Sequence, residues 1–161
     1  MEQNKSTQSL IDSKLLNERI VYLWGQVDDD SAKYVVERLL YLDLLEPGKE
    51  IKFFINSPGG YVTSGFAIYD TIKALNSPVA TICTGLAASM GSILLSVGKK
   101  GRRFTMKHAK VMIHQPSGGA QGTAADIEIQ SEEIRKTKII GAQILAENCG
   151  QTPEKIMADF N

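Results

Sequence analysis

Short β-type runs, most of them apolar, alternate along this chain with segments of helical spacing, and that alternation limits the fold more than any other feature. The runs are Ile20 to Trp24, Ile51 to Ile55, Val79 to Cys83, Arg102 to Met106 and Lys110 to His114. Near-continuous apolar strands lie covered on both faces, as the strands of a parallel sheet do. Between the first two, Asp30 and Ser31 are placed to cap a helix whose apolar positions Ala32, Val35, Val36, Leu39 and Leu40 recur at helical spacing, until Pro47-Gly48 stops it. A strand, a helix and a further strand in that order imply a right-handed crossover. A second unit runs through Phe66-Ala67-Ile68-Tyr69 and Ile72 to the Asn76-Ser77-Pro78 break, and a third places a helix from about Ser89 to Val97. Repeated crossovers predict a layered α/β domain, and 161 residues suit a single one.

The distribution of charge and cysteine narrows the partners. Lys and Arg together number 18, against 18 Asp and Glu. The only dense basic cluster, Lys99-Lys100-Gly101-Arg102-Arg103, reads as a solvated turn, so no nucleic-acid partner is implied. Cys83, in an apolar strand, and Cys149, at a helix end, are too few for a disulfide scaffold, and a reducing compartment is expected. The polar lead, about residues 1–10, has no apolar core of signal-peptide length, and no stretch approaches the ~20 apolar residues of a membrane span. A soluble, intracellular protein with no membrane partner is expected, its lead a frayed end or an arm that meets a partner.

The tail differs in character. From Ala124 to about Asn148 runs a long helical stretch whose first half, Asp126-Ile127-Glu128-Ile129-Gln130-Ser131-Glu132-Glu133, is too polar to bury a full face in its own domain. Either solvent or another subunit covers it. Gly118-Gly119-Ala120-Gln121-Gly122 just before it reads as a flexible or strand-pairing linker.

Three segments carry the chemistry. An unassisted serine hydroxyl is a poor nucleophile at neutral pH; it needs an imidazole to take its proton and amide N–H groups to hold the oxyanion. Ser89, with small neighbours in Gly85-Leu86-Ala87-Ala88-Ser89-Met90-Gly91, supplies the hydroxyl. Alone it reads more readily as a helix cap. Its setting adds weight: the strand ends at Cys83, a Gly-Leu-Ala-Ala turn follows, and Ser89 opens an apolar helix, where the N–H of Met90 is a natural oxyanion donor. The base is His108, in the charged turn Met106-Lys107-His108-Ala109-Lys110, or His114, at the exit of a strand; His114 is the better candidate, because strand ends point into the crevice where α/β sites form. Ile55-Asn56-Ser57-Pro58-Gly59-Gly60-Tyr61 supplies glycines whose amides can face a carbonyl.

In this order and spacing, Ile55-Asn56-Ser57-Pro58-Gly59-Gly60, the serine segment and Val111-Met112-Ile113-His114-Gln115-Pro116 closely resemble the caseinolytic protease (ClpP) family, from about Leu10 onward. Gly118 to Gly122 with Asp126-Ile127-Glu128-Ile129 is similar to its handle region. The resemblance implies a ClpP/crotonase-like layered fold of repeated β-α-β units, one domain over 1–161 with a protruding handle helix at about 115–148. It implies a serine endopeptidase that cuts unfolded proteins to short peptides inside a homo-oligomer of two stacked heptamers, in the bacterial cytosol or an organelle of bacterial origin. A hexameric AAA+ unfoldase of the ClpX, ClpA or ClpC type would feed it and use the ATP, so no cofactor or metal is expected in this chain. Residue by residue, Ser89 is implied as nucleophile, His114 as general base, and the N–H groups of Gly60 and Met90 as oxyanion hole. The resemblance further implies ring-to-ring contacts from Gln121 to Asp126 and the helix after them, axial loops from the amino-terminal segment, and a place for Phe54 in the apolar cleft that receives the unfoldase's loops. The family's triad aspartate falls just beyond Asn161, with Asp159 at an earlier position of the last helix, so a longer native protein is expected.

Other readings remain open at this point. A catalytically weak or inactive structural ring subunit would assemble with an active paralogue. An acyl-CoA enzyme of the crotonase type would need no Ser89 with His114, and no basic cluster is placed for CoA phosphates. A signal-peptide peptidase would need a membrane span or a lysine base, and neither is evident.

Overall fold

The computed structural model describes residues 6–160. Its first element, α1 (Thr7–Asn17), begins inside the segment expected to be a polar lead and buries none of its residues. Ser6 accounts for the start, its hydroxyl accepting from the amide of Ser9. Residues 1–5, half of the arm expected to form axial loops, lie outside the described residues.

The alternation resolves into β1 (Ile20–Trp24), α2 (Asp29–Leu45), β2 (Ile51–Ser57), α3 (Val62–Ala74), β3 (Val79–Ala88), α4 (Met90–Ser96), β4 (Arg103–Thr105) and β5 (Lys110–Met112). The strands run in the order β1-β2-β3-β4, with β5 also pairing to β3, and every pairing is parallel. This is the layered α/β architecture the crossovers predict. The core between sheet and helices is built from Val21, Leu23, Val35, Leu39, Phe53, Ile55, Ile68 and Leu94, all essentially without solvent contact. Burial of each such side chain contributes about 1.5–3 kcal/mol.

Several boundaries differ from the sequence reading. The cap of α2 is Asp28 rather than Asp30 or Ser31; its carboxylate accepts from the Ser31 amide while the Ser31 hydroxyl accepts from the Asp28 amide, a reciprocal capping box. β4 and β5 are shorter than expected, so His114 lies past its strand rather than within it. The largest difference is β3. No turn interrupts it after Cys83: it continues through Gly85, Leu86, Ala87 and Ala88, since Ala87 pairs with Ser57 and Leu86 to Ala88 pair with β5. The register between β2 and β3 shifts between Ile55 and Ser57, and the Asn56 side chain fills the gap by accepting from the Leu86 amide at 3.1 Å.

α5 (Ala124–Cys149) is the expected long helix, capped by Thr123 with Asp126 and ended by the left-handed Gly150. Only Gly141, Ala142, Leu145 and Ala146 of it are buried, all in its carboxyl half. Ala142, Leu145 and Ala146 join Ile156 and Phe160, from and just after α6 (Pro153–Asp159), in a second core cluster that Ile93 and Ile113 pack against. The glycine-rich segment before α5 forms no strand, but it is tied to that helix: Lys138 donates to the Gln115 side chain and Gln130 to the Gln121 carbonyl.

Candidate active site

The site forms where β3 ends. Ser89 follows the last strand residue directly and is the cap position of α4, with φ 53 and ψ −122. That backbone region is open to glycine and strained for a residue with a Cβ, at about 1–3 kcal/mol. A serine before a helix ordinarily bonds the helix's free amides, yet the Ser89 side chain makes no such bond. The hydroxyl of Ser92 instead donates to the Ser89 carbonyl at 2.6 Å, which helps hold the turn. A strand feeding a strained serine that opens a helix has the mechanics of a nucleophile elbow.

The glycine loop approaches from β2. The Ser57 hydroxyl, fully buried, accepts from the Gly59 amide at 3.0 Å and tightens the Ser57-Pro58-Gly59 turn. A Cβ on Gly59 would stand 2.7 Å from the Ser89 Cβ and 3.0 Å from the Met90 nitrogen, so only glycine permits this approach. Gly60 is pinned on its other side by Val27. The Val27 amide donates to the Gly59 carbonyl at 2.9 Å and the Tyr61 amide donates to the Val27 carbonyl at 2.8 Å. With both neighbours bonded toward Val27, strand alternation turns the Gly60 N–H the other way. The Met90 N–H belongs to the first turn of α4, where amides have no partner within the helix.

The parallel pairing of β5 with the end of β3 delivers the histidine. Ala88 is opposite Met112, and the Ser89 amide donates to the Met112 carbonyl at 2.9 Å. The chain then runs through Ile113 to His114, which is exposed. Ser89, Met90, Gly60 and His114 line one cleft of about 90 Å³, whose walls include Val62, Phe66, Ile93, Ile113, Leu145 and Phe160. The arrangement places a hydroxyl, an imidazole and two amide-bearing backbone turns around one cleft whose walls are part apolar and part polar, with Ser92, Ser117 and Thr137 also lining it.

Other candidates stand elsewhere. His108 is exposed in the turn between β4 and β5 and takes no part in the cleft. Phe54, expected in the separate cleft for the unfoldase's loops and not at the active site, is half-buried on β2 with its ring stacked on Tyr22, centroids 5.2 Å apart. Asp159 is paired with Lys155, and no ion pair among the described residues joins a carboxylate to a histidine. Among the described residues no cluster of three or more His, Cys, Asp or Glu is gathered to hold a metal, and no helix is long and apolar enough to cross a membrane. The reading from sequence overlooked Ser57, Asn56 and Val27. The Asn56-Ser57-Pro58 turn signature was the one signal available for the first two; nothing local marks Val27, whose role comes from tertiary approach.

A family model described as Clp protease matches residues 2–161. The match spans nearly the whole sequence, and the chain is therefore a peptidase of the Clp type, a member of the Clp protease family.

Proposed function

We propose that the chain is a serine endopeptidase subunit in which Ser89 is the nucleophile, His114 the general base, and the Gly60 and Met90 amides the oxyanion hole. The observation that carries this reading is Ser89 itself: strained at φ 53, uninvolved in capping, and in one cleft with His114 and the glycine loop. In the reaction the Ser89 Oγ adds to the substrate carbonyl as His114 takes its proton. The tetrahedral oxyanion is held by the two amides, and collapse expels the amine, which receives that proton from His114. Water, deprotonated by the same imidazole, then adds to the ester; collapse of the second adduct releases the acid and returns the proton to Ser89.

The same reading makes the chain one subunit of stacked heptameric rings fed with unfolded protein by an ATP-driven AAA+ unfoldase, with no cofactor of its own. Support comes from apolar surface that a monomer leaves uncovered: Leu40, Tyr41, Leu44 and Leu45 on α2, and Ile127 and Ile129 on α5, all exposed. A fluorophosphonate probe and a fluorogenic peptide test the proposal together. Wild type is expected to label and to hydrolyse, whereas Ser89→Ala does neither while still forming rings. Peptidase activity retained in Ser89→Ala would overturn the nucleophile assignment. A wild type that assembles but neither labels nor cuts would favour a structural subunit.

A further inference from the structure

We infer that Ser64 and Asp29 are positioning residues for the oxyanion hole, the hydrogen bond between them setting where the Gly60 amide stands relative to the Met90 amide; this rests on the serine-peptidase reading above. Ser64 is the third residue of α3 and is buried. Its hydroxyl donates to Oδ1 of Asp29, the first residue of α2, at 2.6 Å. A hydroxyl within a helix ordinarily donates to a carbonyl one turn back on its own helix. Ser13, Thr71, Ser92 and Ser96 all do so. Ser64 instead reaches a residue 35 positions away and ties two helices together at their first turns.

The start of α3 has no fastening of its own. Its cap residue, Tyr61, makes no side-chain bond, and no acidic residue stands in its first turn. Asp29, which α2 does not use for its own cap of Asp28 with Ser31, supplies the acceptor and the negative charge that this positive helix end lacks. The bond closes the same two segments that the backbone of Val27 joins to Gly59 and Tyr61, since Asp29 follows Val27 closely and Ser64 lies within the turn that Gly60 leads into. On the other side of that turn the next residue, Gly65, lies against Met90, because a Cβ there would fall 2.2 Å from the Met90 side chain. The first turn of α3 is thus held between Asp29 and Met90. Both amides assigned to the oxyanion follow its position: Gly60 leads into the turn and Met90 packs on it. Such donors act over a window of about 2.7–3.1 Å, so a turn left loose on the Asp29 side weakens the hole without removing it.

The test measures kcat and KM for one fluorogenic peptide, with thermal midpoints, in Ser64→Ala, Asp29→Ala, the double variant and Asp29→Asn. Each alanine variant should lower kcat by about tenfold, less than the loss of a whole donor, with KM little altered. The double variant should be no slower than either single one, since both remove the same bond. Asp29→Asn keeps an acceptor oxygen and should restore kcat to within about twofold of wild type. Wild-type kcat in Ser64→Ala or Asp29→Ala would overturn the inference even with a lowered midpoint, because the bond would then serve stability alone. Losses that multiply in the double variant, or an Asp29→Asn as slow as Asp29→Ala, would overturn it as well. Ser89→Ala, assayed alongside, separates the two levels: abolished hydrolysis there with unaltered kcat in Ser64→Ala sinks only the present inference, whereas persisting hydrolysis sinks the serine reading itself.

Discussion

The Ser89 amide donates to the Met112 carbonyl at 2.9 Å, so the residue that leaves β3 is fixed by one rung to the strand that leads to His114. Parallel pairing makes this placement possible. β3 turns into α4 at the rung where β5 also ends, and the crevice at the carboxyl edge of the sheet gathers residues distant in sequence.

Gly60 tests the opposite wall. A Cβ at this position would stand 2.1 Å from the Val27 carbonyl oxygen, so Gly60→Ala must displace the loop away from Val27. Loss of one oxyanion donor lowers kcat by about 10²–10³. Steady-state kinetics should show that loss in kcat with KM little altered, in rings that still assemble. A wild-type kcat would remove Gly60 from the oxyanion hole.

The histidine assignment is tested by contrast. His114 lines the cleft and His108 does not. His114→Ala should reduce fluorophosphonate labelling of Ser89 to background, whereas His108→Ala should label at the wild-type rate. Full labelling of His114→Ala would leave that residue without a part in activating the serine.

The sequence exposed some of this design and hid the rest for identifiable reasons. β1, β2 and α5 were legible because their apolar or capping signals are local: Ile20 to Trp24 is an unbroken strand run, and Thr123 sits three residues before Asp126. The continuation of β3 was not. Gly85 reads as a turn and does take a positive φ of 82, yet the strand resumes beyond it, where the side chain of Asn56, arriving from another strand, accepts from the Leu86 amide. Ser89, His114, Gly60 and Met90 could each be proposed from residue chemistry, but their shared cleft depends on β5 pairing beside the end of β3, a contact no local pattern specifies.

Acid stability follows from Asp43. Its carboxylate accepts from the Ser77 amide at 2.7 Å and from the Asn76 amide at 3.3 Å, tying α2 to the loop before β3. Hydrogen bonding by Ser77 holds its pKa below the usual carboxylate range, against the opposing effect of burial. A depressed native value means the stabilisation is fully present above the unfolded value of about 4 and is lost as pH falls through the native one. Unfolding by urea followed from pH 7 downward should therefore show a loss of stability below about pH 4 that is shallower in Asp43→Asn. That variant should also be weaker at pH 7, by about 1–3 kcal/mol for the disturbed bonds. Parallel pH profiles for the two proteins would contradict the assignment.

Strain at Ser89 gives a prediction that separates function from stability. Its φ of 53 and ψ of −122 are open to glycine and cost a residue with a Cβ about 1–3 kcal/mol. Ser89→Ala and Ser89→Gly both remove the hydroxyl, so both should abolish hydrolysis, but only the glycine variant relieves the backbone. Glycine also loses about 0.5–1 kcal/mol through its freer unfolded chain, which leaves a net gain of about 1 kcal/mol over alanine. For a chain of this size that is roughly 2–4 °C in thermal midpoint. Midpoints must be compared at equal protein concentration, because assembly of subunits makes them depend on it. A Ser89→Gly midpoint at or below that of Ser89→Ala would mean that no strain is stored at the serine. A higher one would show that the fold holds this residue in a costly backbone conformation, with its hydroxyl kept out of the helix and in the cleft.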